Sequence, residues 1–250
     1  MNCKGFTLIE MMVSMAIFSI MMSGIIAAFH EQLKLHSRQQ KVSEMQQNAR
    51  TAMHFMAREL RMAGFDPTGM AGTGIRPVPN RHDAVTVSMD VTGGESDGID
   101  NDGDGVADNR QEEACGDGTT DGANEIITYA LKDGKLTRAS AGGSPQTLAI
   151  NIDALDFEYF GLNSQDPLCQ NNCHLSIAGA TANPDDIRIV QVSIISRSGI
   201  GSPAGRFHET DDTIYRNQVG KIILNKQTRP DRIRRLMLST EIRLRNQGLR

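Results

Sequence analysis

The chain has 250 residues, enough for one globular domain of ordinary size plus an extra element. With 39% hydrophobic and 22% charged residues it is not a disordered chain, and a formal net charge of −4 excludes a generic nucleic-acid coat. Trp is absent and aromatics make up 4%, so no sugar-stacking platform is advertised.

The first element is the strongest. The chain opens Met1-Asn2-Cys3-Lys4-Gly5-Phe6-Thr7-Leu8-Ile9-Glu10. From Met11 to Phe29 it is almost wholly apolar, broken by Ser14, Ser19, Ser23 and Gly24. With Phe6 to Ile9 this reaches the roughly 20 residues that cross a bilayer as a helix. Lys4 lies just before it, which directs the N-terminus to the cytoplasm. No small-residue cleavage site interrupts the run, which argues against an ordinary secretory signal. A plain signal anchor fits the hydropathy equally well, and Glu10 separates the readings. A carboxylate within an apolar span is costly and is a functional hypothesis by default. If the chain is cut between Gly5 and Phe6, the new amine lies more than one turn from Glu10 on the same helix. A neighbouring helix, shifted along its axis, places its own amine beside Glu10. The pair neutralises two charges and favours one stagger of packing.

The string Lys4-Gly5-Phe6-Thr7-Leu8-Ile9-Glu10 resembles the prepilin peptidase site of type IV pilins and type II secretion pseudopilins. The resemblance implies a leader over 1–5, cleavage after Gly5 and N-methylation of Phe6. It implies a subunit held in the bacterial inner membrane by residues 6–29, then extracted into a helical filament at the cell surface. The implied partners are other major and minor pilins, prepilin peptidase and the inner-membrane assembly platform.

Beyond Phe29 the sequence turns polar but keeps helical periodicity. Val42, Met45, Ala49, Ala52, Met53, Met56, Leu60 and Ala63 form one apolar stripe. Gly64 is a natural stop, so the spacing predicts a helix over 6–63, about 87 Å long, whose part from 30 to 64 enters the head. Gly24 is a point where it could bend. Residues 65–250 read as a β-rich head. Ala84 to Val91 is one strand region. Glu125–Leu131 and Lys135–Arg138 flank the hairpin turn Lys132-Asp133-Gly134. Ile152–Phe160 is a third region. Ile187, Ile189, Val190, Val192 and Ile194 alternate with a slip that suggests a bulge. Leu236, Leu238, Thr240, Ile242 and Leu244 alternate with polar or charged neighbours and Met237, as in a half-buried strand. The expected class is α+β, a type IV pilin fold with a long N-terminal helix on an antiparallel sheet.

Further segments carry a looser resemblance to PilW-type minor pilins. They are Ala57 to Asp66 closing the helix, Arg188 to Ser198, and Arg234-Arg235 with Thr240 to Asn246. The implied function is a minor pilin that primes assembly and caps the filament. The alternatives are a minor pseudopilin of type II secretion, related to its J-type subunits, and a calcium-dependent tip adhesin.

The adhesin reading rests on the acidic loop 92–124, long for a compact domain. Within it Asp100, Asp102 and Asp104, followed by Gly105, match the first half of an EF-hand-type loop. Val106 offers a backbone carbonyl and Asp108 a further ligand. The twelfth position is Gln111, with Glu112 one residue late, and no flanking helices are evident. The expected ion is Ca²⁺, bound weakly; a solvated acidic insertion is the bland alternative.

Four cysteines occur, Cys3 in the leader and Cys115, Cys169 and Cys173 on the non-cytoplasmic side. Cys169 with Cys173 is the preferred disulfide and Cys115 with either is the rival. Zinc at Cys169, Cys173 and His174 lacks a fourth ligand. The basic segment Arg229, Arg232, Arg234, Arg235, Arg243, Arg245 and Arg250 has no interleaved aromatics, so nucleic acid is not the expected partner and solvent-facing strand residues are. No hydrolase, metalloprotease or P-loop motif occurs, and catalysis is not expected.

Overall fold

The structure, a computed structural model, describes residues 7–93, 100, 105–106, 116–122, 124–141, 143–162, 173–199 and 210–246. The leading feature is helix α1, Leu8–Met62, unbroken through Gly24. At about 1.5 Å per residue it is about 82 Å long. It ends where the sequence places the stop. Ala63 (φ −51°, ψ 136°) and Gly64 (φ 78°) form a type II turn, closed by a bond of 3.0 Å from Phe65 N to Met62 O. Gly64 N then donates to Ser88 O at 3.0 Å, tying the helix end to the head.

The stripe is the face that packs. Met45, Ala49, Ala52, Met53, Met56, Leu60 and Ala63 are all buried, and Val42 at its outer end is half-buried. Ala at three of these positions lets the helix axis approach the sheet closely, while Met and Leu fill the space between.

Two antiparallel sheets receive it. The first is a meander of five strands in chain order: β1 Gly74–Pro77, β2 Ala84–Ser88, β3 Ile126–Lys132, β4 Lys135–Ser140 and β5 Gln146–Ile150. Its β3–β4 turn has Asp133 at φ 51° and Gly134 at φ 71°, the two left-handed residues of a type I′ hairpin. The second sheet runs β11-β8-β6-β7, with β6 Ile152–Gly161, β7 Cys173–Leu175, β8 Ile187–Arg197 and β11 Arg235–Arg243. A short helix α2, Ile177–Ala182, lies between β7 and β8. A small hairpin, β9 Ile214–Arg216 and β10 Ile222–Asn225, forms a separate two-stranded sheet.

α1 packs on β8, β11 and β5, so it is shared by both sheets. Leu155, Phe157 and Tyr159 of β6 lie opposite Ile194, Val192 and Val190 of β8, and this row joins Met56 and Leu60 in one core. Glu59 of α1 adds a polar fastening, bonded to Tyr129 Oη of β3 and paired with Arg138 of β4 at 3.0 Å.

The bulge expected near Ile189 and Val190 has a different explanation. All residues of β8 from Ile189 to Ser196 are buried, because the strand is covered on both faces. Consecutive apolar residues there report double burial, and the register slip lies one step earlier, with Gly161 opposite Ile187 and Phe160 opposite Ile189. The outer face is covered by the β9–β10 hairpin region, which the sequence reading did not anticipate, nor did it anticipate β1, β5 or β7.

Candidate assembly helix and acidic loop

Residues 7–36, which hold the outer half of α1, are exposed among the described residues. This stretch includes an 18-residue window of mean hydropathy 2.1, none of it buried. Leu8, Ile9, Met15, Phe18, Ile20 and Phe29 are among its exposed large side chains, and exposure continues through Leu33 and Leu35. The helix is thus long and apolar enough to cross a membrane. Its serines are made compatible with such a setting. Ser14 Oγ donates to Glu10 O at 2.7 Å, Ser19 Oγ to Met15 O at 2.8 Å and Ser23 Oγ to Ile20 O at 2.7 Å. Each hydroxyl is satisfied on its own helix.

Glu10 has a second role that the sequence reading missed. Thr7 is the N-cap of α1, and Glu10 is its third residue. Glu10 N donates to Thr7 Oγ1 at 3.3 Å, while Thr7 N and Thr7 Oγ1 donate to Glu10 Oε2 at 2.8 and 2.9 Å. This is a capping box, and its signal, Thr-x-x-Glu before an apolar run, stood in the sequence. The acid is therefore not stranded in the single chain. Its bonds to Thr7 are described through Oε2. A carboxylate accepts about four bonds, so it retains capacity for an incoming amine. Gly5 and Phe6 lie outside the described residues.

The acidic loop is entered through a built neck. Gly93 and Gly116 form an antiparallel bridge that brings its two arms together. The buried carboxylate of Asp90 accepts from Asp117 N at 3.1 Å and Gly118 N at 3.0 Å. The buried Glu125 accepts through Oε1 from Val91 N, Thr92 N and Thr92 Oγ1, and through Oε2 from Gly122 N at 2.6 Å. Burial pushes the Asp90 carboxyl above its usual range, and the two amide bonds only partly offset this. Gly116 is required by space, since a Cβ there would lie 2.3 Å from the Asp90 carboxylate.

Of the expected calcium ligands, Asp100 and Val106 are described and both are exposed; Asp102, Asp104, Asp108 and Glu112 lie outside the described residues. Gly105 takes φ 89° and donates its N–H to Asp100 Oδ2 at 2.8 Å. The first and sixth loop positions therefore already face each other, across the sharp turn that Gly permits.

Cys173, on β7, is disulfide-bonded. Cys169 and Cys115 lie outside the described residues. With that thiol used, the zinc alternative at Cys169, Cys173 and His174 loses one of its ligands.

The basic C-terminal segment needs one correction. Arg229, Arg232, Arg234, Arg243 and Arg245 are exposed as expected, but Arg235 is not. Its side chain is 1% exposed and binds Asp153, Asp211 and Asp231. Its partners come from β6 and from the excursion between β8 and β11, which alternation along β11 does not reveal. Arg250 lies outside the described residues.

Residues 1–26 match a family model described as the prokaryotic N-terminal methylation motif. The chain carries a prepilin-type N-terminus. Behind it stand the exposed apolar helix and the antiparallel head. No curated protein matches the sequence. Among solved structures it is similar to a type IV-like pilin from Thermus thermophilus, at 14% identity and a TM-score of 0.41, over 83% of this chain and 96% of that one. That likeness is too distant to transfer a function.

Proposed function

We propose that this pilin-like chain is a minor subunit of a type IV pilus-like filament, priming its assembly and capping it. The observation that carries the reading is the outer half of α1: a methylation-type leader, then an apolar helix left exposed among the described residues. Such a surface is compatible with lipid before assembly and with neighbouring helices after it. The resemblance of residues 57–66, 188–198 and 234–246 to PilW-type minor pilins supports the minor and priming roles. The role is structural, so the head confers specificity and catalyses nothing. Prepilin peptidase, the assembly platform and other pilins are its partners. Intact-mass analysis of the mature protein tests the reading. Loss of residues 1–5 and a methylated Phe6 amine are expected, and an uncut Met1 would refute it.

The acidic loop supports an adhesive role beside the structural one, with Ca²⁺ ordering a segment that otherwise loses conformational entropy without return. The ligands are Asp100, Asp102, Asp104, Val106 through its carbonyl, Asp108 and Glu112. The turn at Gly105 and its bond to Asp100 support this. Calorimetry is expected to give weak binding, about 10⁻⁴–10⁻³ M, lost in Asp102→Ala. Absence of heat would remove the ion. Deleting residues 92–124 then separates the roles: adhesion lost with normal filaments favours the loop as a binding surface.

A further inference from the structure

The outer face of the second sheet is unusually polar for a covered surface. Asp156 and Glu158 stand two residues apart on β6, hence on one face, and both side chains are 4% exposed. His82 reaches them from the β1–β2 connection, whose path is fixed by a 2.8 Å bond from Phe157 N to His82 O. Its Nδ1 lies 3.7 Å from Glu158 Oε1. That nitrogen is buried and has no hydrogen-bond partner among the described residues. One ligand atom from each of the three residues falls within 4.8 Å of the others.

A cation already stands there. Lys221 Nζ, beside β10, is 2.7 Å from both Asp156 Oδ1 and Glu158 Oε1. Asn217 Nδ2 adds bonds of 3.0 and 3.2 Å to the same two carboxylates, and His174 holds Glu158 Oε2 at 2.8 Å. Burial pushes Glu158 up, but the Lys221 and His174 bonds outweigh it and hold the carboxyl below its usual range. Two buried carboxylates face one ammonium, and one of the two is also bonded to His174. The lysine side chain is 35% exposed and has a way out to solvent.

We infer that His82, Asp156 and Glu158 form a binding site for a divalent transition ion of the Zn²⁺ or Co²⁺ kind, with the Lys221 ammonium in the position the ion takes. The ligand set selects the class. Imidazole with carboxylates suits zinc and its neighbours, while calcium and magnesium prefer oxygen alone. A 2+ charge balances both acids, and a bond to His82 Nδ1 satisfies a buried nitrogen that has no hydrogen-bond partner among the described residues. Ligand atoms on one tetrahedral ion with bonds of about 2.1 Å stand about 3.4 Å apart, so side-chain closure of up to about 1.4 Å completes the site. His174 then acts as a positioning residue on the carboxylate. The ion fastens the β1–β2 connection of one sheet to β6 of the other and frees Lys221.

The test uses the untagged full-length chain in detergent, with Ca²⁺ in excess to occupy the acidic loop. Zn²⁺ calorimetry should give one equivalent, and Co²⁺ should develop visible absorption. His82→Ala changes a partly exposed side chain and leaves the buried acids paired with lysine, so it keeps the fold. It should weaken Zn²⁺ binding at least about tenfold. Lys221→Met, which removes the competitor, should tighten it by about as much. The inference is overturned if the native chain binds neither ion, if His82→Ala binds as tightly as the native chain, or if Lys221→Met gives no tightening.

Discussion

Glu10→Gln is expected to leave the precursor membrane-inserted and cleaved, yet to lower its recovery in filaments by roughly 100-fold. The argument begins with the new amine. On the proposed reading, cleavage gives each Phe6 a positive charge that enters a setting of apolar helices, where an uncompensated charge is far costlier than a paired one. Gln keeps the length and still accepts from Thr7, so the cap survives in part while the charge does not. The capping box makes a control necessary, because Glu10 bonds Thr7 in the single chain. Thr7→Ala removes the cap's hydroxyl and keeps the acid. It should cost about 1 kcal/mol of local helix stability and leave incorporation near normal. Quantitative immunoblotting of sheared filaments against the membrane fraction reads both. Equal recovery of Glu10→Gln and the native chain would show that the acid serves the cap alone.

Arg235→Ala is expected to lower the stability of the protein by about 3–5 kcal/mol, a fall in Tm of about 10 °C. Its guanidinium meets Asp211 and Asp231 at 2.7 Å and also bonds Asp153, which in turn pairs with Arg197 at 2.6 Å. Removing it leaves three partly buried acids facing one another around a void. Arg235→Lys should recover only part of the loss, since one ammonium cannot reproduce the fork. The pH dependence has a definite sign. The Arg235 bond, above all, holds Asp231 well below the usual carboxylate range. Asp211 is pushed up by burial, but the Arg235 bond outweighs this and leaves it lowered. Both therefore take up protons more readily unfolded than folded. The stability they contribute is full above about pH 4 and is lost as pH falls through their lowered values. Thermal melts from pH 7 to 2 should show this loss in the native chain and a much flatter profile in Arg235→Ala. A variant within 1 kcal/mol of native would mean the cluster is only surface pairing.

The two expectations differ in how they became visible. The course of helix α1 was legible, because its signals are local: an apolar run, a stripe at helical spacing, and Gly64 where the chain must turn left-handed. The β3–β4 hairpin was legible for the same reason, through Asp133 and Gly134. The capping box was equally local and was passed over, since an acid in an apolar span invites a distant partner before a near one. The consecutive apolar residues of β8 misled, because two-sided burial and a bulge leave the same trace when only one strand is in view.

Sequence alone determined that a long helix with an exposed apolar first half leads the chain, which face of it packs, and that the head is antiparallel. Each follows from periodicity or from the conformational needs of one or two neighbouring residues. The tertiary structure alone decided the rest. It brought Arg235 to Asp153, some 82 residues distant in the chain, and Lys221 to Asp156 and Glu158, and it closed the acidic loop with Asp90 and Glu125. An arginine on an edge strand looks solvent-facing until a folded excursion covers it. Burial of a charge depends on what lies above it, and no local pattern encodes that.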